Sequence, residues 1–206
     1  MEGAQELHLR GFMGERMSAC IAKQDLSSLK RVVVSSTGGF VSIGIDIAER
    51  LASYHPHVII RDLCLSSCAN YLIPIASRLT VEPYSMIGLH GGAIKMLETL
   101  KRSGRSPPSS LKEDAAREQA FLLRHGVRPD WFLPTAFVES RKKKITNPLD
   151  FNLFFHDSQI LAASPEFVRS CLPQIEIESF WYLFDHIQEL KTAKGRSGIF
   201  HRFVKR

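Results

Sequence analysis

Two serines, one histidine and two glycine pairs stand in this sequence in an order suited to acyl-transfer chemistry. Ser66 and Ser67 lie in Cys-Leu-Ser-Ser-Cys-Ala at 64–69, after Ser-Ser-Thr-Gly-Gly at 35–39 and before Gly-Leu-His-Gly-Gly at 88–92. A serine hydroxyl attacks a carbonyl only when a base takes its proton, and the oxyanion that follows needs hydrogen-bond donors. His90 is the base at hand. Gly38 and Gly39 permit the close backbone approach or positive φ that turns N–H groups toward an anion. Each piece also has a plain structural reading: serine is a favoured helix N-cap, Gly-Gly turns are common, and a histidine sits in many cores and on many surfaces.

These residues fall where strands end. Residues 7–11 alternate like a short strand and 14–23 read as a first helix. Residues 31–36, with Val32, Val33 and Val34, read as a buried strand. Phe40, Ile43, Ile47, Leu51 and Tyr54 recur at helical spacing over 40–54, and 57–61 is the next strand. The succession strand, turn, helix, strand is the unit that builds parallel sheets through right-handed crossovers. Ser66 and Ser67 then lie at a strand-to-helix turn, where a helix N-terminus offers free N–H groups and positive potential.

Further on, 68–76 reads as a helix interrupted by Pro74. Residues 79–82 and 86–89 read as strands, 93–102 as a helix and 103–110 as a loop. Ser110 and Glu113 suggest a capping box for a helix reaching His125, with Gly126 as its C-cap. Residues 151–155 are expected as a strand and 157–163 as a short helix. The aromatic cluster Phe180, Trp181, Tyr182, Leu183 and Phe184 is expected on a helix running to Leu190, packed in a core or against a partner.

With 206 residues and a mean hydropathy of −0.07, the chain fits one ordinary globular domain over 1–190. A recognisable core occupies 7–92 and a helical part 93–190. No apolar run is long enough for a membrane span. The acidic, polar start lacks the basic residues and apolar core of a signal peptide, so the sequence as written reads as cytoplasmic, or as periplasmic if a leader is missing. Of 27 basic residues six lie in 191–206, leaving 21 against 21 acidic ones, so the +6 net charge resides in the tail. A basic tail attracts acidic partners, or is simply a solvated end. The run at 141–144 reads as a solvated face. Cys64 and Cys68 have no second pair with which to bind zinc, and the expectation is two small packing residues, a bridge being the other reading.

Taken together, the motifs at 35–44, 64–71 and 87–92 resemble the ClpP/crotonase superfamily, nearest to bacterial ClpP-like proteins with a Cys-x-Ser-Ala/Ser-Cys motif. The resemblance covers roughly 7–92. It implies an α/β fold of repeated ββα units around a mainly parallel sheet, no cofactor, a peptide or protein substrate and a homo-oligomer. It places the nucleophile at Ser66, with Ser67 one register away, and the general base at His90. The oxyanion hole falls to Gly38 or Gly39 with the N–H of Ser67. Thr37 stands where the family's glycine turn has Pro, and Ala76-Ser77 where these proteins tend to have Gly. The third member of a triad is assigned to Asp150, with Asp130 second. Three other readings stay open: an inactive ClpP-like scaffold, a crotonase-like acyl-thioester enzyme without a nucleophile, and a thiol-redox role for Cys64 and Cys68.

Overall fold

The computed structural model describes residues 5–132, 146–150, 159–182 and 185. Apolar, β-branched runs make the strands of its central sheet: β1 (Gln5–Met13), β2 (Leu29–Gly39), β3 (His57–Leu65), β4 (Arg78–Val81) and β5 (Met86–Leu89). Val32, Val33 and Val34 are all buried, as expected of a strand covered on both faces. Among the described residues the sheet has eight strands in the order β1-β2-β3-β5-β7-β6, with β4 pairing β3 and β8 (Glu176–Phe180) pairing β4. β6 (Thr146–Asp150) and β7 (Gln159–Ala163) pair antiparallel with each other, and β7 pairs antiparallel with β5. The other pairings are parallel.

Helices α1 (Glu15–Ala22) and α2 (Val41–Ala52) are the crossovers of the β1-α1-β2-α2-β3 half. α3 (Ala93–Arg102), α4 (Ser109–Arg124) and α5 (Pro165–Cys171) belong to the second half, where β4-β5-α3 and β6-β7-α5 repeat the ββα order. This is the α/β class with a mainly parallel sheet expected from the sequence. A main apolar core joins the inner strands to α2, Tyr71, Phe121, Trp131 and Phe167, and a separate cluster gathers Leu63, Leu65, Met86, Ile160, Ala162 and Tyr182.

β3 is the strand that positions the site. Its first half pairs with β4 (His57↔Arg78 to Ile60↔Val81) and its second half with β5 (Leu63↔Met86 to Leu65↔Gly88). The change of neighbour falls at Asp62, in the left-handed region with φ 66°, whose N–H donates to Ser85 Oγ. β3 therefore continues four residues past the Arg61 at which the sequence pattern ended it.

Several expectations change. The helix foreseen over 68–76 is a single π-turn, Cys68–Leu72, so its backbone spacing is wider than α-helical. Residues 159–163 are a strand rather than a helix, because pairing on both sides with β5 and β6 satisfies their backbone. Phe180 closes β8 instead of opening a helix; β8 is held by its parallel pairing with β4. α4 starts at Ser109 with Pro108 as its N-cap and no side-chain cap, so Ser110 and Glu113 form no capping box. Its C-cap is His125, and Gly126, with φ 61°, follows it. Val127 N–H reaches Leu122 O and Gly126 N–H reaches Leu123 O, the paired bonds of a Schellman end. The strand expected at 151–155, the basic run at 141–144, the region 186–190 and the tail 191–206 lie outside the described residues.

Candidate active site

β3 and β5 are parallel and adjacent, so the residues that follow them emerge side by side at one end of the sheet, where α/β proteins commonly place ligands. Ser66 follows β3 and His90 follows β5. The Ser66 Oγ and His90 Nε2 lie 2.7 Å apart. Ser66 has φ 55°, a left-handed backbone that costs a residue with a side chain about 1–2 kcal/mol. The surroundings enforce it: Ser66 N–H donates to Gly88 O at 2.9 Å, and Ser66 O accepts from Asn70 N–H at 2.8 Å. Such local strain at a chemically competent side chain is a common mark of a functional turn.

Ser67 is engaged elsewhere. Its hydroxyl donates to Gly39 O at 2.8 Å and does not cap the π-turn it precedes. The two serines thus divide the work geometrically: Ser66 meets the imidazole and Ser67 ties the π-turn to the glycine turn.

Gly38 has φ 87°, and a Cβ there would sit 2.5 Å from Leu65 O, 2.7 Å from Ser66 Cβ and 2.9 Å from Ser67 N. No residue with a side chain could bring this turn so close to the serine pair. Gly38 N–H donates to Ser36 Oγ at 3.1 Å, and that buried hydroxyl in turn donates to Gly11 O. Gly38 N–H is thus engaged within its own turn.

Burial, and then the positive charge of Lys95, push the His90 imidazole below its ordinary value of 6.5. Lys95 Nζ donates to the His90 carbonyl at 3.3 Å. A histidine so placed is neutral at pH 7 and able to accept a proton.

The two candidate acids lie in different places. Asp150 ends β6 opposite Gln159 of β7, while Leu89 of β5 lies opposite Leu161. The backbone thus puts Asp150 at the His90 end of the sheet but two strands away, about 10 Å at ordinary strand spacing. The Asp150 side chain is outside what the structure describes. Asp130 sits in a short 3-10 turn, Pro129–Trp131, near α5, where burial chiefly, and the Asp130 charge after it, raise the Cys171 thiol.

The cysteines need a correction. Cys64 and Cys68 are joined in a disulfide across Ser66 and Ser67, rather than being two free packing thiols. The sharp turn brings their Cα atoms to 5.3 Å, within the range a disulfide spans. Of the others, Cys20 is exposed, and Cys171 is buried with its thiol pushed up to about 12.

One residue of this region was not singled out from the sequence: Glu118 of α4, fully buried against Gly92. The signal was available, because it is an acid on the stripe Leu111, Ala115, Phe121 and Leu122 that faces the core.

No family model matches the sequence, and no curated protein matches it. Among solved structures, a mutant ClpP1 from Listeria monocytogenes is similar over 86% of this chain and 92% of its own, with a TM-score of 0.45 and 12% identity. This is a remote likeness of fold and transfers no residue role. Among the described residues, no helix is long and apolar enough to cross a membrane.

Proposed function

We propose that this chain is a serine hydrolase of ClpP-like type, cleaving peptide bonds by acyl transfer to water. The observation that carries the reading is Ser66 held in a left-handed turn with its Oγ 2.7 Å from His90 Nε2. His90, kept neutral by burial, takes the Ser66 proton as Oγ attacks the substrate carbonyl, then returns it to the leaving amine. The oxyanion is held by the N–H of Ser67 with that of Gly39, the partner turn being kept in place by Ser36 and by the Ser67 hydroxyl. Water then attacks the acyl-enzyme with His90 again as base.

Asp150 is our choice for the group that orients His90, on the strength of its position at the same end of the sheet; Asp130 is second. We also propose self-association, the usual habit of the superfamily the sequence resembles. A compartment that permits disulfides is part of the proposal, since Cys64 and Cys68 are joined next to the nucleophile.

A fluorophosphonate probe tests the core of this reading. Wild-type protein and Ser67→Ala should label, and Ser66→Ala and His90→Ala should not. Folded wild-type protein that neither labels nor cleaves denatured casein would leave the scaffold reading in its place. Labelling lost in Ser67→Ala and retained in Ser66→Ala would move the nucleophile by one residue.

A further inference from the structure

α4 buries one face against the core, and Glu118 lies on that face between Ala115 and Phe121. A carboxylate taken out of water must be compensated by donors, or it protonates. Glu118 has them. Oε1 accepts from the Tyr71 hydroxyl at 2.6 Å and Oε2 from Ile94 N–H at 2.8 Å. Burial pushes its carboxyl above the ordinary range, while the N–H of Ile94, the Tyr71 hydroxyl and the N–H of Ala93 pull it back.

The two donors come from the two segments that carry the candidate pair. Ile94 is the second residue of α3, and the N-cap of α3 is Gly92, which has no side chain with which to cap. Glu118 supplies that cap from another helix, meeting an N–H left over at the helix start and the positive end of the helix dipole. It can approach so closely only because residue 92 is glycine: a Cβ there would fall on Glu118 Oε1. Two residues before Gly92 is His90. Tyr71, the other donor, belongs to the π-turn, whose Asn70 N–H reaches back to Ser66 O. Asn70 also donates its Nδ2 to Gly91 O at 3.1 Å, a second tie between the same two segments.

We propose that Glu118 is a positioning residue for the Ser66–His90 pair, clamping the start of α3 to the π-turn so that the imidazole stays within reach of the serine hydroxyl. The proposal rests on the hydrolase reading for its effect on rate, but its geometric content stands apart from it. Lys95 from α3 is a charged neighbour that bears directly on His90, while Glu118 and Tyr71 pair with each other, the carboxylate lying against Gly92 two residues further on. Glu118 is acceptor-only when ionised, matching three donors. In Glu118→Gln one oxygen still takes Ile94 N–H, and the amide N–H can donate to the Tyr71 oxygen, which accepts as well as donates. Glu118→Ala leaves all the donors without their acceptor.

The experiment measures two things in the same full-length samples: the titration of the His90 ring by NMR of isotope-labelled histidine, and the second-order rate of fluorophosphonate labelling. In folded Glu118→Ala, the His90 midpoint should rise toward 6.5 as the ring gains water, and labelling should slow by about tenfold or more, since about 1 Å of misplacement costs a site on the order of a hundredfold. Glu118→Gln should restore both. Gly92→Ala, which displaces the carboxylate while leaving it in the chain, should reproduce Glu118→Ala, and it decides the matter if Glu118→Ala does not fold. A folded Glu118→Ala or Gly92→Ala with wild-type His90 titration and wild-type labelling overturns the proposal. If wild-type protein does not label at all, the hydrolase reading falls, and the His90 titration alone judges the clamp.

Discussion

Replacing Gly38 by alanine tests whether the glycine turn lies against the serine pair, and Gly104 provides the control. Both glycines are left-handed, with φ 87° and 69°, so alanine at either should cost about 1–2 kcal/mol in backbone strain. Nothing lies within 4 Å of a Cβ at Gly104, whereas one at Gly38 meets Leu65 O at 2.5 Å, Ser66 Cβ at 2.7 Å and Ser67 N at 2.9 Å. Two of those three atoms are main chain and cannot rotate away. Forcing a methyl into such a space costs roughly 1–3 kcal/mol more. Gly38→Ala should therefore be destabilised by about 2–5 kcal/mol and Gly104→Ala by about 1–2, out of a total of about 5–15 for a typical domain. With a urea slope of about 2–3 kcal/mol per molar, the two unfolding midpoints should separate by roughly 1 M. Equal midpoints would refute the close approach. Because Ser66 Cβ is among the atoms pushed, folded Gly38→Ala should also label with a fluorophosphonate far more slowly than Gly104→Ala; equal rates would detach this turn from the site.

Two further outcomes follow from the site. Closing so short a loop, the Cys64–Cys68 disulfide should contribute about 2 kcal/mol by chain-entropy reasoning, so Cys64→Ala/Cys68→Ala should unfold at lower urea than wild type, and alkylation of the unreduced, denatured chain should modify Cys20 and Cys171 alone. Because burial lowers the His90 pKa, the acid limb of the labelling rate should fall below pH 6.5; the same shift has a stability sign, since the folded state binds fewer protons here, so this contribution is present above 6.5 and is lost as the pH falls through the depressed value. A limb at or above 6.5 in the folded protein would contradict the burial of the ring.

The β-branched run at 32–34, the apolar spacing over 40–54 and the short runs at 57–61 and 86–89 are enough to read the parallel core, because each pattern is local; Ile47 and Leu51 of that spacing are buried, while Phe40 and Tyr54 at its ends are exposed. Residues 159–163, Gln-Ile-Leu-Ala-Ala, carry no period that separates strand from helix, and only their pairing between β5 and β6 makes them a strand. Ser66, His90 and the glycine turn could be named from residue type and order. The left-handed backbone of Ser66 could not, since nothing about a serine announces positive φ; it follows from bonds to Gly88 and Asn70 made in three dimensions. The Cys64–Cys68 spacing admits a bridge as well as two packing thiols, and only the turn between the cysteines, which brings them together, decides for the bond. Glu118 is marked only by being an acid on the apolar stripe of helix 109–124, a signal that the capping residues at the helix ends do not carry.

The hydrogen bond from Ser66 N–H to Gly88 O has a consequence for motion. It ties the serine's own backbone to β5, two residues before His90, so thermal displacements of that strand carry hydroxyl and imidazole in the same direction. Their separation is then insulated from breathing of the sheet, and the Ser66 amide should exchange its hydrogen with solvent only when β5 itself opens. The serine's exchange rate thus becomes a gauge of the cohesion of the histidine strand.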